Sequence, residues 1–294
     1  MNNQVPEFDQ LVDEITELTG LARSVVAHKV WVDALNQTTN VSEDAKRVGL
    51  QPHIYSEQME TFYRDTDAFI FETMVECCRD GKRAVLADAD ARIRNYLAMH
   101  HLSSAEVLMF GDGTGSDTSY LHNAFGDALR LSAFDVPGSK TFDFAARRFR
   151  KHQVPVEVIT DYSRIPEGKF DIVVSFEVLE HLSDPQRAIH DIGRFLKPNG
   201  IALITESFEA VIPRYPTHLW SNLRYAKRTP LMFANAGLII TYLNKAFMMK
   251  FRPTEYTKKV PVTARDRLGV LMNRDVHRPL LKAIAIRQIL NLLG

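Results

Sequence analysis

The sequence predicts an α/β fold: a mostly parallel, seven-stranded sheet with helices on both faces, preceded by a helical extension. Three observations point there. From Ala105 onward, short apolar runs alternate with segments of helical spacing, as a parallel sheet covered on both sides requires. The first run, Val107–Phe110, passes directly into Gly111, Gly113 and Gly115 and then into Ser116, Asp117 and Thr118, an order that reads strand, glycine turn, helix. Residues 1–103 show helical spacing alone. The 294 residues therefore divide into a helical region, 1–103, and an α/β domain, 104–294.

In the helical region, Phe8, Leu11, Val12, Ile15 and Leu18 recur at helical intervals and Gly20 follows as a stop. Leu21, Val25, Val26, Val30 and Leu35 mark a second helix. The polar stretch Asn36–Asp44 reads as a connection. Tyr55 through Val75 then reads as one long helix ending near Asp80-Gly81, and Ile93, Tyr96 and Leu97 mark another. In the α/β domain the expected strands are Glu106–Phe110, Leu129–Phe134, Val156–Thr160, Phe170–Phe176, Ile201–Glu206 and Leu238–Leu243. They are apolar almost throughout, as strands buried on both faces must be. The intervening helices are Thr118–Phe125, Ser139–His152 and Pro185–Leu196, the last with Asp184 as cap and Pro185 in the first turn. Lys197-Pro198-Asn199-Gly200 reads as a turn. A last strand fits either Ala246–Phe251, as hairpin partner of the sixth, or Leu281–Ile286.

Composition bounds the function classes. With 45% hydrophobic and 24% charged residues the chain is ordinary for a globular protein, and no apolar run is long enough to span a bilayer. The opening MNNQVPEFDQLVDEI has neither a basic stretch nor an apolar core, so no signal peptide is expected. The two cysteines, Cys77 and Cys78, are neighbours, which excludes a disulfide framework and points to a reducing, cytoplasmic setting. Net charge is zero but unevenly spread. Residues 1–76 hold 14 acidic against 5 basic side chains, and residues 245–294 hold 11 basic against 3 acidic. The two ends either attract each other across the fold, or the basic end holds an anionic substrate. No basic helix with interleaved aromatics suggests a duplex nucleic-acid footprint.

Ligands of open α/β sheets bind beyond the carboxyl ends of the strands. After the first strand these are Gly111, Asp112, Gly113, Thr114 and Gly115. Asp135 follows the second strand, 20 residues past Gly115, where a carboxylate accepts from both hydroxyls of a ribose. Asp161 and Tyr162 follow the third, Glu177, Glu180 and His181 the fourth, Ser207 and Glu209 the fifth. A glycine turn plus an acid on the second strand suits two ligand classes. Dinucleotides want G-x-G-x-x-G, so that the helix approaches the pyrophosphate. The spacing here is G-x-G-x-G and suits a ligand without pyrophosphate.

With Phe170–Pro185 reading FDIVVSFEVLEHLSDP, Val107–Gly115 reading VLMFGDGTG, and Leu196–Gly200 reading LKPNG, segment 105–206 resembles the core of the Rossmann-like S-adenosylmethionine-dependent methyltransferases. The resemblance implies that Gly111, Gly113 and Gly115 lie against the cofactor's methionine part and sugar. It also implies that Asp135 holds the ribose, that Asp161 and Tyr162 border the adenine, and that Glu177 stands near the sulfonium. One position departs from the family. Met109 stands where an acid usually helps to hold the cofactor's amino group, and Asp112 is the candidate replacement.

The reaction so implied is methyl transfer to a small or carrier-linked metabolite, at oxygen, in a sugar, lipid or secondary-metabolite pathway. A hydroxyl acceptor needs a base, for which His181 and His218 are the candidates. Tyr55, Tyr63 and His53 are the polar aromatics expected at the acceptor pocket if the N-terminal helices cover it; the same helices could instead form a homodimer surface. No His, Asp and Glu set stands at metal-ligand spacing. The rival readings are a binding or scaffold protein that retains the fold, motivated by Met109, and a methyltransferase acting on nucleic acid or protein through the basic tail.

Overall fold

The structure is a computed structural model that describes residues 8–243, 253–263, 266 and 268–270. Six helices come first: α1 (Phe8–Thr19), α2 (Arg23–Leu35), α3 (Thr39–Arg47), α4 (Glu57–Asp65), α5 (Ala68–Glu76) and α6 (Asp80–Met99). Then β1 (Ala105–Phe110), α7 (Ser116–Phe125), β2 (Leu129–Phe134), α8 (Lys140–Lys151), β3 (Val156–Ile159), β4 (Phe170–Phe176), α9 (Pro185–Phe195) and β5 (Leu196–Thr205) alternate. They are followed by α10 (Thr229–Asn235), β6 (Leu238–Tyr242) and β7 (Thr254–Lys258).

The strands form one seven-stranded sheet in the order β3-β2-β1-β4-β5-β7-β6. β1 to β5 pair in parallel, while β7 runs antiparallel to both β5 and β6. β1 lies between β2 and β4, so strand order reverses there and opens a crevice at the carboxyl ends. Alternate side chains of each strand feed two cores. Val107 and Met109 join α6, α7 and α8 on one face, while Leu108 and Phe110 join α9 and α10 on the other.

Helix starts follow the local chemistry. Ser139 accepts from the Phe142 amide (3.1 Å) at α8, and Asp184 from the Arg187 amide (3.0 Å) ahead of Pro185 at α9. The remaining N-terminal helices pack partly on the sheet domain. α1, α2 and α5 share a core with Phe144 of α8, and α3 and α4 share one with Leu219, in the connection that follows β5. The acidic first helix meets a basic partner close at hand: Glu14 pairs with Arg148 (3.0 Å) and Glu17 with Lys151 (2.6 Å), both on α8.

Several elements differ from the sequence reading. The polar stretch Asn36–Asp44 contains the start of α3, whose Asn40, Val41 and Ala45 are buried while Glu43, Lys46 and Arg47 face out. One buried stripe on so short a helix leaves little periodic signal. The long helix expected over Tyr55–Val75 is broken at Thr66, where the backbone turns extended and the hydroxyl donates to Asp44 (2.7 Å). Asp80-Gly81 begins α6 instead of ending a helix, because Arg79 is extended and Asp80 supplies the acid of a first turn. Lys197–Gly200 is an excursion within β5, with Asn199 at positive φ, and the pairing of β4 with β5 shifts across it. α10 carries too few residues to announce itself. The last described strand, β7, lies between the two segments proposed for it; Ala246–Phe251 and Leu281–Ile286 fall outside the described residues.

Candidate active site

The glycine turn after β1 is held from several sides. The Gly111 amide donates to the Phe134 carbonyl (2.8 Å), and the Gly113 amide to an Asp135 carboxylate oxygen (2.7 Å). Two of the glycines are demanded by neighbours in the protein. A Cβ on Gly111 (φ +84°) would stand 2.4 Å from Val178, and one on Gly115 (φ +73°) 2.4 Å from the Phe149 ring. A Cβ on Gly113 would meet only ordinary contacts with Thr73 and Thr141. The Thr73 hydroxyl of α5 donates to the Thr114 hydroxyl (3.1 Å), so a helix from the N-terminal region lies on the turn.

Asp112 does not stand free to replace the acid that Met109 lacks. One of its oxygens accepts from the Asp117 amide (3.0 Å), the other from the Thr118 amide (2.7 Å) and hydroxyl. These amides open α7, whose preceding residue, Gly115, has no side chain to cap them. Asp112 is therefore the helix cap, set three residues early. Burial pushes its carboxyl up, the neighbouring Asp117 adds to this, and the Thr118 bonds oppose it. Beneath it Lys82 of α6 donates to Asp117 (2.6 Å) and lies over the Phe176 ring. Met109 is 1% exposed and packs in the core with α6, α7 and α8.

Asp135 is placed differently. It accepts from the Gly113 and Val136 amides, one on each oxygen, which leaves lone pairs on both for a ligand. Burial raises its pKa, and the two amide bonds oppose the rise. Asp161 is exposed and caps its own turn, accepting from the Ser163 amide (2.9 Å) and hydroxyl (2.7 Å). The Tyr162 hydroxyl is committed to Asp191 (2.6 Å), and its ring packs edge-on to Phe110, Phe134 and Phe195.

At the ends of β4 and β5 the polar groups crowd. Glu177 follows β4 at positive φ, its amide bonded to the Thr205 carbonyl (3.1 Å). Glu180 is 1% exposed and accepts from the Ser207 hydroxyl (2.6 Å). Glu206 accepts from the Thr229 hydroxyl (2.6 Å) and the Phe208 amide (3.0 Å). Burial, then the Glu180 charge, pushes Glu177 up to about 8. Burial pushes Glu180 and Glu206 up to about 7. Among the described residues none of the three forms an ion pair with a Lys or Arg, and Glu177 Oε1 and Glu180 Oε2 are buried without a partner. An ionised carboxylate so placed is costly until a cation arrives.

His181 and His218 stand together there, ring centroids 4.7 Å apart and nearly perpendicular. Burial pushes His181 down to about 4 and holds His218 lower still, so both are neutral near pH 7. The Tyr63 hydroxyl is 2.8 Å from His181 Nδ1, and the Thr217 carbonyl 3.3 Å from the same atom. Of the other residues expected at an acceptor pocket, Tyr55 is exposed and donates to Glu60 (2.8 Å). His53 is buried as a brace. Its Nδ1 is 2.9 Å from the His218 carbonyl, its amide donates to the Pro216 carbonyl (2.7 Å), and its carbonyl accepts from the Trp220 amide (3.0 Å). Tyr63 thus reaches the strand-end cluster, Tyr55 is exposed and bonded to Glu60, and His53 fixes the backbone of the loop that carries His218. Glu206 and Thr205 went unremarked in the sequence as site residues. The signal was available: an acid directly at the carboxyl end of the fifth strand.

This sheet order, with a glycine turn after β1, a carboxylate after β2 and acids after β4, defines the class of α/β methyltransferases that use S-adenosylmethionine. The residues fit that cofactor, since partnerless buried carboxylate oxygens suit a cationic ligand. The chain belongs to the methyltransferase-domain family, whose model matches residues 73–246. It is 27% identical over 120 residues to lovastatin diketide synthase mokB of Monascus pilosus, covering 38% of this chain and 5% of that one. It is 28% identical over 101 residues to the chloroplastic tocopherol O-methyltransferase of Arabidopsis thaliana, covering 34% of this chain and 29% of that one. The matches thus span less than a third of either curated relative. Among solved structures, the CurJ carbon methyltransferase is similar in fold, with a TM-score of 0.51 at 15% identity over 65% of this chain and 58% of that one. No helix among the described residues is long and apolar enough to cross a membrane.

Proposed function

We propose that this protein transfers the methyl group of S-adenosylmethionine to oxygen of a small or carrier-linked metabolite. The observation that carries the reading is the trio of buried Glu180 and half-buried Glu177 and Glu206 at the strand ends, with no basic partner among the described residues. Val178, next to Glu177, packs against Gly111, so Glu177 follows directly beside the turn.

In this reading Asp135 accepts from the ribose hydroxyls while clamping the Gly113 amide. Gly111, Gly113, Thr114 and Gly115 line the cofactor with backbone, and Asp161 and Tyr162 border the adenine at the rim. The bound cofactor supplies a methyl group already activated by a positive sulfur. Glu177 and its neighbours stabilise that charge, and they exclude water by their burial. The acceptor enters over His181 and His218, with Tyr63 above. Neutral imidazoles there turn lone pairs toward the acceptor side, where they orient an acceptor hydroxyl for in-line attack either directly or through an ion they share.

Incubation with methyl-labelled S-adenosylmethionine and a panel of hydroxylated and carrier-linked acceptors tests this. Label in an ether or ester oxygen of any acceptor supports the reading. Label on carbon or nitrogen alone moves the acceptor atom, and transfer to nothing in the panel favours a binding protein that retains the fold.

A further inference from the structure

We propose that Glu180, His181 and His218 hold one divalent first-row transition-metal ion, and that an oxygen of the methyl acceptor completes its coordination. The proposal rests on the methyl-transfer reading above and names the acceptor class: molecules with two adjacent oxygen donors, such as a vicinal diol or a hydroxy acid, which chelate a metal through an open face.

The geometry carries it. One ligand atom from each of the three residues lies within 4.8 Å of the others. Zinc–ligand bonds of about 2.0–2.1 Å place tetrahedral donors about 3.4 Å apart, so small side-chain rotations close the set. Two of the three residues carry a buried donor atom with no hydrogen bond. Glu180 Oε2 and His218 Nδ1 are buried without any partner, in residues that are 1% and 6% exposed. The other oxygen of Glu180 is fixed by Ser207, and His218 is stacked on Tyr215 with centroids 4.8 Å apart, so both are held in orientation. His181 shows the arrangement usual for a metal-bound imidazole. Its Nδ1 faces the Thr217 carbonyl and the Tyr63 hydroxyl, which leaves Nε2 to coordinate. Two imidazoles and a carboxylate suit zinc, manganese or cobalt ahead of magnesium or calcium. Sequence spacing hides the set, because 36 residues lie between His181 and His218 and the loop after β5 must return to β4 to join them.

The ion would act as a Lewis acid on the acceptor hydroxyl. The hydroxyl proton, made more acidic by the ion, passes to water. The acceptor oxygen then forms its bond to the methyl carbon as the carbon–sulfur bond breaks, and that electron pair returns to sulfur.

The test uses untagged full-length protein stripped with EDTA, then equilibrated with ZnCl2, MnCl2 or CoCl2 and assayed for bound metal. The expected result is about one equivalent bound by the wild type. Binding should be at least about 100-fold weaker in Glu180→Gln and in His218→Asn, with circular dichroism reporting that both remain folded. Pulsed electron paramagnetic resonance of the Mn2+-loaded wild type gives an independent reading and should show two coordinated imidazole nitrogens. No retention by the wild type at millimolar metal, equal retention by both variants, or a spectrum without imidazole coupling would each overturn the proposal. Calorimetry with S-adenosylhomocysteine on the same wild-type sample separates the two readings. Cofactor binding without metal overturns the metal site alone, and metal binding without cofactor supports the site while removing the methyl-transfer reading.

Discussion

The β1–β2 half of the strand-end face and the β4–β5 half are both rich in acids, yet the fold treats them differently. In the first half every carboxylate has a structural bond, and the one partnerless buried carboxylate oxygen among the described residues there, on Asp117, belongs to a side chain already paired with Lys82. Asp112 caps α7, Asp117 holds Lys82, and Asp135 clamps the Gly113 amide. In the second half Glu177 and Glu180 keep buried oxygens without partners, and His218 keeps a bare ring nitrogen. The first half is scaffold that shapes a turn. The second holds carboxyls that stay protonated or wait for a cationic ligand. Where a fold leaves polar atoms unpaired marks its chemistry better than where acids are abundant.

Gly115→Ala should break the scaffold half most severely. The new methyl meets Phe149 and the backbone sits at φ +73°, so a loss of about 2–4 kcal/mol in urea unfolding is expected. The reserve half should show itself next, through pH. Folded-state pKa values of about 8 for Glu177 and about 7 for Glu180 and Glu206 lie above the ordinary 4.5, so the native state binds more protons than the unfolded chain. Their stabilising effect is fully present below 4.5 and is lost as pH rises through 7 and 8. The neutral histidines act oppositely, but only below their ordinary 6.5. Between pH 6.5 and 8.5 the ligand-free protein should therefore lose on the order of 2 kcal/mol, and Glu177→Gln should flatten the slope in thermal unfolding followed across pH.

Asp112→Ala sharpens the comparison from the other side. It removes the cap of α7, and should cost about 1–2 kcal/mol of stability in chemical denaturation. Its effect on cofactor affinity should be smaller than that of Asp135→Ala, because its oxygens face the helix. Tyr63→Phe should be the mildest change. Losing the hydrogen bond to His181 costs about 1 kcal/mol, read as a small drop in melting temperature.

Much of this was legible in the chain itself. The sheet domain announced its strands because they are buried on both faces and hence continuously apolar; Leu129–Phe134 and Phe170–Phe176 fall where the sequence puts them. The N-terminal helices were less legible. The break at Thr66 depends on a hydroxyl reaching Asp44 across 22 residues, which no local pattern records. The site divides in the same way. Asp135 stands at a strand end and can be found by counting. That Asp112 turns inward follows from Gly115 lacking a cap, a consequence of three-dimensional geometry. The meeting of His218 with Glu180 and His181 depends on the path of the loop after β5, which His53 braces from the other region of the chain.

The central claim is that the strand-end face binds S-adenosylmethionine with Asp135 on its ribose. Isothermal titration calorimetry with S-adenosylmethionine and S-adenosylhomocysteine, on wild type and Asp135→Ala, tests it most directly. Both ligands should bind at about one per chain, with at least about tenfold weaker affinity in the variant, from loss of a charged hydrogen bond. Absence of binding by the wild type at millimolar ligand, or an unchanged dissociation constant in the variant, would contradict it.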